Sequence, residues 1–263
     1  MTSNDSIIEI KNLKTYLGRS WVHQGLNLAV KRGEILGIVG GSGTGKTTLL
    51  REILNLTQPV SGSIKIFGHE LTTASANTLF AIQQRWGVLF QSNALFSSLT
   101  LLDNVIFPLN EHTLLDYETM KDLALLKILM VGLPIDSALK YPAELSGGMQ
   151  KRAGLARAII LDPELIFLDE PTAGLDPNTA AGLDELILNL QSTMGLTIVM
   201  VTHDLDSLWR ITNRVAFLGQ GVVLCIDNMA KLVKNPNPLI QAFFGGQRGR
   251  AAEEGYQHDQ HEK

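Results

Sequence analysis

The chain has 263 residues, of which 45% are hydrophobic and 18% are charged, so it is long enough to fold around a sizeable apolar core. Its net charge of −4 excludes a global basic field that would attract nucleic acid or anionic lipid, and its single cysteine, Cys225, excludes a disulfide framework. The sequence has neither a secretory signal nor the roughly 20 consecutive apolar residues needed to cross a bilayer, so we expect the protein to stay where it is made.

The predicted elements begin with short strands in the first 30 residues, the clearest at residues 26–30, where apolar and polar residues alternate. Residues 35–39 form a continuous apolar run, which is typical of a strand buried on both faces of a parallel sheet. A helix is predicted from residue 46 to about residue 55. Residues 61–63 are predicted to turn into another strand at residues 64–67.

Residues 92–141 have a different pattern, because apolar residues recur there at helical spacing and strand-like alternation is scarce. This segment is predicted to be a helical insert within an α/β core. After it, helix and strand alternate again, with helices at 147–161 and 177–194 and strands at 165–168, 196–201 and 214–218. Such alternation predicts an α/β fold with a mainly parallel sheet.

The loop GGSGTGKT lies between the first buried strand and the helix after it, and it fits the pattern G-x-x-x-x-G-K-[ST]. Glycines in such a loop let backbone N–H groups wrap the β-phosphate of a nucleotide at the positive end of the helix dipole. Lys46 is predicted to contact the β- and γ-phosphates, and the hydroxyl of Thr47 to hold Mg²⁺. The residues predicted to bind ATP in this loop and directly after it are Gly40, Gly41, Ser42, Gly43, Thr44, Gly45, Lys46, Thr47 and Thr48.

Two adjacent acids, Asp169 and Glu170, end a second apolar strand in the sequence LIFLDE. Carboxylates at the end of a buried strand are costly unless a cation and a water molecule use them. Asp169 is therefore predicted to orient Mg²⁺, and Glu170 to polarise the attacking water as a general base. The alternative is that both acids simply leave the strand into solvent.

A second glycine-rich turn, LSGGMQ, opens the helix before that strand. Ser146 is a good helix N-cap, and Gly147 and Gly148 expose N–H groups that suit a phosphate. One nucleotide has only one phosphate chain, which the first loop already holds. The turn is therefore predicted to meet the nucleotide of another copy of the chain, the alternative being an ordinary helix cap.

Three single residues are candidates by position. Gln91 follows a predicted strand and is predicted to reach Mg²⁺ or the attacking water, although a glutamine after a strand is commonly a turn residue. His203 follows the strand at 196–201, at the same sheet edge as Asp169, and is predicted to contact the γ-phosphate, with a structural histidine as the alternative. Asp176 is predicted to cap the helix that starts at Pro177, which is compatible with a further role at the nucleotide.

Taken in order, GGSGTGKT, Gln91, LSGGMQ, LIFLDE, AGLD and His203 resemble the full motif set of an ABC transporter ATPase subunit, over about residues 7–240. The resemblance implies a P-loop NTPase fold of the ABC type, with an N-terminal antiparallel β subdomain and a helical subdomain at about 92–160 that contacts a membrane permease. Residues 7–244 would form this ATPase domain, and residues 245–263 a polar tail.

The resemblance also implies how the nucleotide is held. ATP would lie between the P-loop of one subunit and the turn of a second copy, where Ser146, Gly147, Gly148 and Gln150 face it. Tyr16 lies near the place where such proteins stack an aromatic ring on adenine, and Trp21 is the competing candidate.

A narrower resemblance comes from the segment QSNALF, which starts at Gln91, followed by LDNV, FPL and EHT. Together with NPNP and the later FF pair, these residues are similar to the ATPase of the Mla phospholipid transport system. The resemblance implies a peripheral subunit on the cytoplasmic face of a bacterial inner membrane, with a permease, an MCE-domain lipid-binding protein and a small STAS-domain protein as partners.

Other functions of an ABC ATPase stay open at this point. The runner-up is the ATPase of an importer of a small solute such as an amino acid. A soluble ATPase of iron–sulfur assembly also has a single cassette. ATPases of translation or DNA repair fit less well, because the chain has one cassette, no long heptad run and no basic stripe for nucleic acid.

Overall fold

The computed structural model describes residues 6–246 and 252–253, so most of the tail expected at 245–263 lies outside the described residues. The chain divides into two units. The described residues up to 79 and from 197 onward form the first, and residues 80–196 form the second. Among the described residues, each helix is too short or too polar to serve as a bilayer crossing.

Strands and helices of the described residues follow the chain in this order. The strands are β1 (Ser6–Leu17), β2 (Ser20–Lys31), β3 (Ile35–Val39), β4 (Ser61–Ile66), β5 (His69–Glu70), β6 (Trp86–Leu89), β7 (Leu165–Asp169), β8 (Thr197–Val201), β9 (Arg214–Gly219) and β10 (Val222–Asp227). The α-helices are α1 (Lys46–Ile53), α2 (Ala76–Gln83), α3 (Leu101–His112), α4 (Tyr117–Met130), α5 (Gly147–Ala158), α6 (Pro177–Met194), α7 (Leu205–Ile211), α8 (Met229–Leu232) and α9 (Pro238–Phe244). Short 3-10 helices cover Leu71–Thr73, Ile135–Leu139 and Pro142–Glu144.

The first unit contains an antiparallel sheet with the strand order β2-β1-β4-β5. Strands β1 and β2 form a hairpin whose turn holds Gly18 and Arg19 at φ 56° and 72°, the two positive angles that a tight hairpin turn requires. The prediction of short strands is wrong here, because the hairpin pairs along its length and each strand has 12 residues. The predicted alternation at residues 26–30 is confirmed, with alternate side chains buried.

The turn predicted at residues 61–63 is also wrong, because these residues form the first half of β4. The glycine that suggested a turn has another reason to be there. Gly62 has φ 105°, and a Cβ on it would lie 2.6 Å from the Cα of Leu13 in β1. The pairing of β1 with β4 shifts register between Lys11 and Lys14, so the glycine accommodates an irregularity in its neighbour.

The first unit also contains three of the strands predicted for the core, at residues 35–39, 196–201 and 214–218. β3 pairs in parallel with both β8 and β9, and β10 pairs antiparallel with β9. All five residues of β3 are buried, which confirms that the continuous apolar run is a strand covered on both faces. Ile38 is in register with Val201, so β3 and β8 end side by side.

In the second unit, β6 and β7 pair in parallel, with Leu89 in register with Leu168. The helices predicted in the insert are present as α3 and α4. The side chain of Thr100 caps α3 by accepting the N–H of Asp103, and the side chain of Asp116 caps α4 by accepting the N–H of Thr119. Helix α5 ends at Ala158, three residues before the predicted end. The predicted fold class, α/β with mainly parallel core pairing, is confirmed.

A buried polar cluster connects β1, β2 and α1 in the first unit. Thr15, His23 and Glu52 are at most 2% exposed. The Oγ1 of Thr15 donates to Oε1 of Glu52 at 2.6 Å, and Nδ1 of His23 lies 3.1 Å from Oε2 of the same carboxylate. Nε2 of His23 lies 3.3 Å from the carbonyl oxygen of Gly45. Nδ1 of His23 also lies 2.9 Å from Oγ1 of Thr15, so each polar group of the cluster has at least one hydrogen-bond partner.

We expect Glu52→Leu to destabilise the protein by about 3 kcal/mol or more, because it leaves the imidazole and the Thr15 hydroxyl buried without their acceptor. The triple variant Thr15→Val/His23→Phe/Glu52→Leu removes all three polar groups and should recover most of that loss. Chemical denaturation measures both. Glu9→Leu serves as the control, since Glu9 pairs with the exposed Lys11 and should contribute less than about 1 kcal/mol. A triple variant no more stable than Glu52→Leu would contradict this account.

Candidate functional site

The GGSGTGKT loop joins β3 to α1 in the first unit, as predicted. Gly45 is the residue before α1, with φ 95°, and a Cβ on it would lie 2.6 Å from Cγ1 of Val22 and 2.7 Å from Nε2 of His23. At Gly40, with φ 153°, a Cβ would lie 2.3 Å from the carbonyl oxygen of Leu218. These two glycines therefore allow the close backbone path that a phosphate-binding loop needs.

Polar side chains of the loop fold back onto its own carbonyl groups. Nζ of Lys46 donates to the carbonyl oxygens of Gly40 and Gly41 at 2.8 and 3.0 Å, and Oγ1 of Thr44 donates to that of Gly41 at 2.9 Å. Thr47 is exposed at the first turn of α1. A cleft of about 210 Å³ runs along the loop, and it is lined by Val22, Gly43, Thr44, Gly45, Lys46, Thr47 and Thr48.

His203 lies at the same edge of the sheet as this loop. It follows β8 by two residues, is exposed, and β8 is the parallel neighbour of β3. The N–H of Thr202 donates to the carbonyl oxygen of Ile38 at 3.4 Å, which extends the pairing to the point where both strands end. The structure thus brings His203 and the phosphate-binding loop to adjacent strand ends.

The two aromatic candidates form one contact pair. Tyr16 and Trp21 face each other across the hairpin of β1 and β2, with ring centroids 5.3 Å apart and edge-to-face geometry. They are 47% and 48% exposed. Trp21 is followed by Val22, which lines the cleft beside the loop. Both rings are therefore on the hairpin that borders the cleft.

In the second unit, Gln91, Asp169 and Glu170 lie at the ends of paired strands. Gln91 follows β6, Asp169 is the last residue of β7, and Glu170 comes next. Asp169 is 9% exposed, whereas Gln91 is exposed. Glu170 has φ 50°, a left-handed conformation that is uncommon for a residue with a Cβ. Parallel pairing thus collects the three predicted residues at one edge.

Lys151 is a residue that sequence reasoning missed in this group. It lies in α5, is 4% exposed, and its Nζ donates to the carbonyl oxygens of Gln91 and Glu170 at 2.8 and 3.2 Å. Burial lowers the pKa of Lys151, while the nearby carboxylates of Asp169 and Glu170 act in the opposite direction. Lysine is rarely buried unless its charge is paired. In the sequence, only the position directly after LSGGMQ set Lys151 apart from the other lysines.

The LSGGMQ turn has the cap that was predicted, but one of its glycines has a packing role. Oγ of Ser146 accepts the N–H of Met149 at 3.3 Å. A Cβ on Gly148 would lie 2.6 Å from Cγ2 of Thr179, whereas one on Gly147 would make an ordinary contact of 3.8 Å with Leu175. Packing against α6 therefore gives Gly148 a structural reason to lack a side chain.

Gln150 and Asp176 both make local hydrogen bonds. Nε2 of Gln150 donates to the carbonyl oxygens of Pro142 and Leu145, which ties the turn to the segment before it. Asp176 caps α6, as predicted, by accepting the N–H groups of Asn178 and Thr179. A further hydrogen bond from the Thr179 hydroxyl lowers the pKa of Asp176 and keeps the cap ionised.

Comparisons with known proteins agree with these motifs. The family described as "ABC transporter" matches residues 23–173. The "Probable ribonucleotide transport ATP-binding protein mkl" of Mycobacterium leprae is 38% identical over 92% of this chain and 69% of its own length. The "Intermembrane phospholipid transport system ATP-binding protein MlaF" of Haemophilus influenzae is 38% identical over 93% of this chain and 92% of its own length.

A solved structure extends the likeness to the fold. The ABC transporter cassette MJ0796, solved as a dimer, has a TM-score of 0.77 and 32% identity, over 84% of this chain and 98% of that one. The same cassette is known in a dimeric post-hydrolysis state bound to ADP and phosphate. Sequence likeness over most of the chain, the phosphate-binding loop and the fold all agree. The chain belongs to the ABC transporter family, and it is an ABC-type ATPase that binds ATP.

Proposed function

We propose that the chain is the ATPase subunit of a transporter that moves phospholipids between the inner and outer membranes of a bacterium. The observation that carries this proposal is the match with MlaF, which spans 93% of this chain and 92% of that protein. The mkl protein is equally identical, but the match spans 69% of its length. The QSNALF segment that begins at Gln91 adds support, because it is similar to the corresponding segment of the Mla ATPase.

Transport of a small solute is the second candidate function. The name of the mkl protein, with its ribonucleotide cargo, is the specific observation that favours it. Either cargo would be handled by membrane partners, because the residues singled out in this chain are those suited to phosphate and water. The two functions therefore share one ATPase mechanism and differ in the complex that the chain joins.

For nucleotide binding, we propose that the loop N–H groups and Lys46 hold the phosphates of ATP. The Lys46 ammonium would exchange its bonds to the carbonyls of Gly40 and Gly41 for bonds to phosphate oxygens, which are stronger because both partners are charged. Thr47, Asp169 and Gln91 offer a hydroxyl, a carboxylate and an amide oxygen, an all-oxygen set that suits Mg²⁺. Mg²⁺, when bound, neutralises charge on the β- and γ-phosphates.

For hydrolysis, we propose that Glu170 accepts a proton from the attacking water. The water oxygen bonds to the γ-phosphorus, the bond to the β–γ bridging oxygen breaks, and ADP and phosphate leave. His203, exposed after β8, contacts the γ-phosphate, and Gln91 orients the water or the metal. The left-handed backbone at Glu170 turns the chain away from the direction of β7. Because such a costly conformation is found mainly at functional sites, it supports a functional role for Glu170.

We further propose that the active form is a homodimer. Ser146, Gly147, Gly148 and Gln150 would meet the nucleotide held by the P-loop of the partner, and Asp176 would lie near the same interface. Gly147 supports this idea, because contacts within the described residues do not account for the absence of its side chain. The adenine would stack on the aromatic pair of the hairpin, through Tyr16 or Trp21.

Contact with a permease is supported by exposed rings around α3. Phe96 and Phe107 have centroids 4.7 Å apart and are 42% and 37% exposed, and the 48% exposed Phe80 lies 5.0 Å from the ring of His112. Exposed apolar groups of this kind mark interaction surfaces. We propose that the helical subdomain, at about 92–160 of an ATPase domain spanning 7–244, docks on a permease at the cytoplasmic face of the inner membrane.

Glu170→Gln should lower the steady-state ATPase rate by about 10²-fold or more, because the amide cannot accept the proton. ATP binding should persist, and the variant should accumulate as an ATP-bound dimer. Phosphate release and analytical ultracentrifugation measure the two effects. Glu164→Gln is the matched control. Glu164 lies just before β7, at the end opposite to Glu170, and its carboxylate forms an exposed salt bridge with Arg85. A Glu170→Gln rate near that of the control would remove Glu170 as the base.

Ser146→Arg should block hydrolysis and leave ATP binding to the isolated chain unchanged, because the arginine obstructs the site of the partner and not its own. Lys46→Ala should block phosphate binding in its own site. An equal mixture of the two variants should regain up to about a quarter of the wild-type rate, since half of the dimers then contain one intact site.

Ser75→Arg is the control for this experiment, because Ser75 is also exposed and its Oγ likewise accepts the N–H three residues on, at 3.2 Å. It should retain full activity. If the mixture were no more active than either variant alone, the turn would not complete the site of a partner.

The cargo is tested by isolating the complex from membranes through a tag on this chain and identifying its subunits and bound lipids by mass spectrometry. The proposal expects a permease, an MCE-domain protein, a small STAS-domain protein and copurified phospholipid. A solute-binding protein in place of the MCE protein would favour the solute importer. Recovery with soluble assembly factors alone would overturn the transporter assignment in favour of iron–sulfur assembly.

A further inference from the structure

Lys151 lies one residue beyond the LSGGMQ turn and carries a charge in a buried position. It is 4% exposed, although lysine is seldom buried unless its ammonium is paired. The turn that precedes it is exposed at Ser146 and Gly147, so α5 has an open end and a buried cation within its first two turns. A buried charge placed this close to a proposed interface requires an explanation of its own.

The partners of Lys151 are backbone atoms of two other motifs. Its Nζ donates to the carbonyl oxygen of Gln91 at 2.8 Å and to that of Glu170 at 3.2 Å. These residues follow β6 and β7, whose parallel pairing ends at Leu89 and Leu168. One ammonium group therefore connects α5 to both strand ends, beyond the point where the sheet can hold them.

Glu170 needs such support because of its backbone. Its φ of 50° is costly for a residue with a Cβ and persists only when surrounding contacts enforce it. The N–H of Ala173 donates to the Glu170 carbonyl oxygen at 3.2 Å, and Lys151 supplies a second, charged donor to the same oxygen. The lysine thus fixes the orientation of the peptide group that immediately follows the Glu170 side chain.

The alternative is a purely structural role for Lys151, and Lys127 is an example of a buried lysine with such a role. Lys127 is 6% exposed, and its Nζ pairs with the carboxylate of Asp162, whose side chain is largely exposed. In the part of the chain that the structure describes, neither side chain of that pair hydrogen-bonds to a predicted site residue. Lys151, in contrast, bonds to two of them and lies within electrostatic range of Asp169 as well.

We propose that Lys151 is a positioning residue that couples the LSGGMQ turn to the hydrolytic group. Its hydrogen bonds hold the backbone at Gln91 and Glu170 in place relative to α5. When the turn at the start of α5 binds a partner's nucleotide, Lys151 therefore sets the position of the Glu170 carboxylate that activates water. The proposal rests on the proposed roles of Gln91 and Glu170. It assigns to Lys151 an effect on turnover and not on ATP binding, because Lys151 bonds to neither the P-loop nor the aromatic pair in the described residues.

The test compares Lys151→Met, which keeps the length of the side chain without donors, with Lys151→Arg, which restores a cationic donor. We expect the methionine variant to lose about 10- to 100-fold in kcat, since small misplacement of a catalytic group has effects of this size. KM and the affinity for ADP should change less than about threefold. The arginine variant should recover most of the lost kcat.

Lys127→Met is the matched control, because it also removes a buried ammonium from the second unit. It should lower the denaturation midpoint without changing the kcat of the folded protein. Lys151→Gln, which keeps an N–H donor without the charge, is made alongside so that a result is obtained even if the methionine variant does not fold. It should retain kcat between the methionine and arginine values.

Three results would overturn the proposal. One is a kcat for Lys151→Met within twofold of wild type. Another is a loss that parallels the fraction of unfolded protein, as for Lys127→Met. The last is a failure of arginine to restore turnover in a stably folded variant. Failure of the underlying mechanism has a different signature, because Glu170→Gln would then remain active whatever Lys151 does.

Discussion

Parallel pairing between neighbouring strands is the constraint on which the candidate site depends. In the first unit, β3 and β8 end in register, which brings the phosphate-binding loop and His203 to one edge. In the second unit, β6 and β7 do the same for Gln91 and Glu170. Because parallel strands carry their carboxyl ends on the same side, each pairing converts residues far apart in sequence into neighbours. The positions of the strand ends therefore decide which candidate residues lie close together.

Strand ends alone do not hold side chains in place, and both units use a buried polar group for that purpose. His23 links the carboxylate of Glu52 to the carbonyl of Gly45, directly before α1. Lys151 links α5 to the carbonyls of Gln91 and Glu170. In each case a buried polar side chain from a neighbouring element lies within hydrogen-bond distance of a backbone oxygen at the edge of the site. Such groups are costly to bury, so their satisfaction ties loop geometry to the core.

The motifs with a fixed spacing were predictable because their chemistry is local. A loop that wraps a phosphate needs its glycines and lysine within eight residues, and an ionised cap needs only Asp176 and the next helical turn. The errors arose where distant packing decides. Gly62 reads as a turn but relieves a crowded strand. Gly148, which stays a predicted phosphate contact, also makes room for Thr179. The sequence shows a glycine in both situations, and only the residue that packs against it in the fold tells them apart.

The sequence by itself determined the family, the ATPase chemistry and the α/β class, because ordered local motifs and apolar periodicity suffice for these. Only the tertiary structure revealed the roles of His23, Glu52 and Lys151. Their partners lie 29 residues away for the first pair, and 60 and 19 residues away for the lysine. A buried charge is stabilised by contacts that the chain makes when it folds, and no local pattern announces which distant carbonyl or carboxylate will meet it.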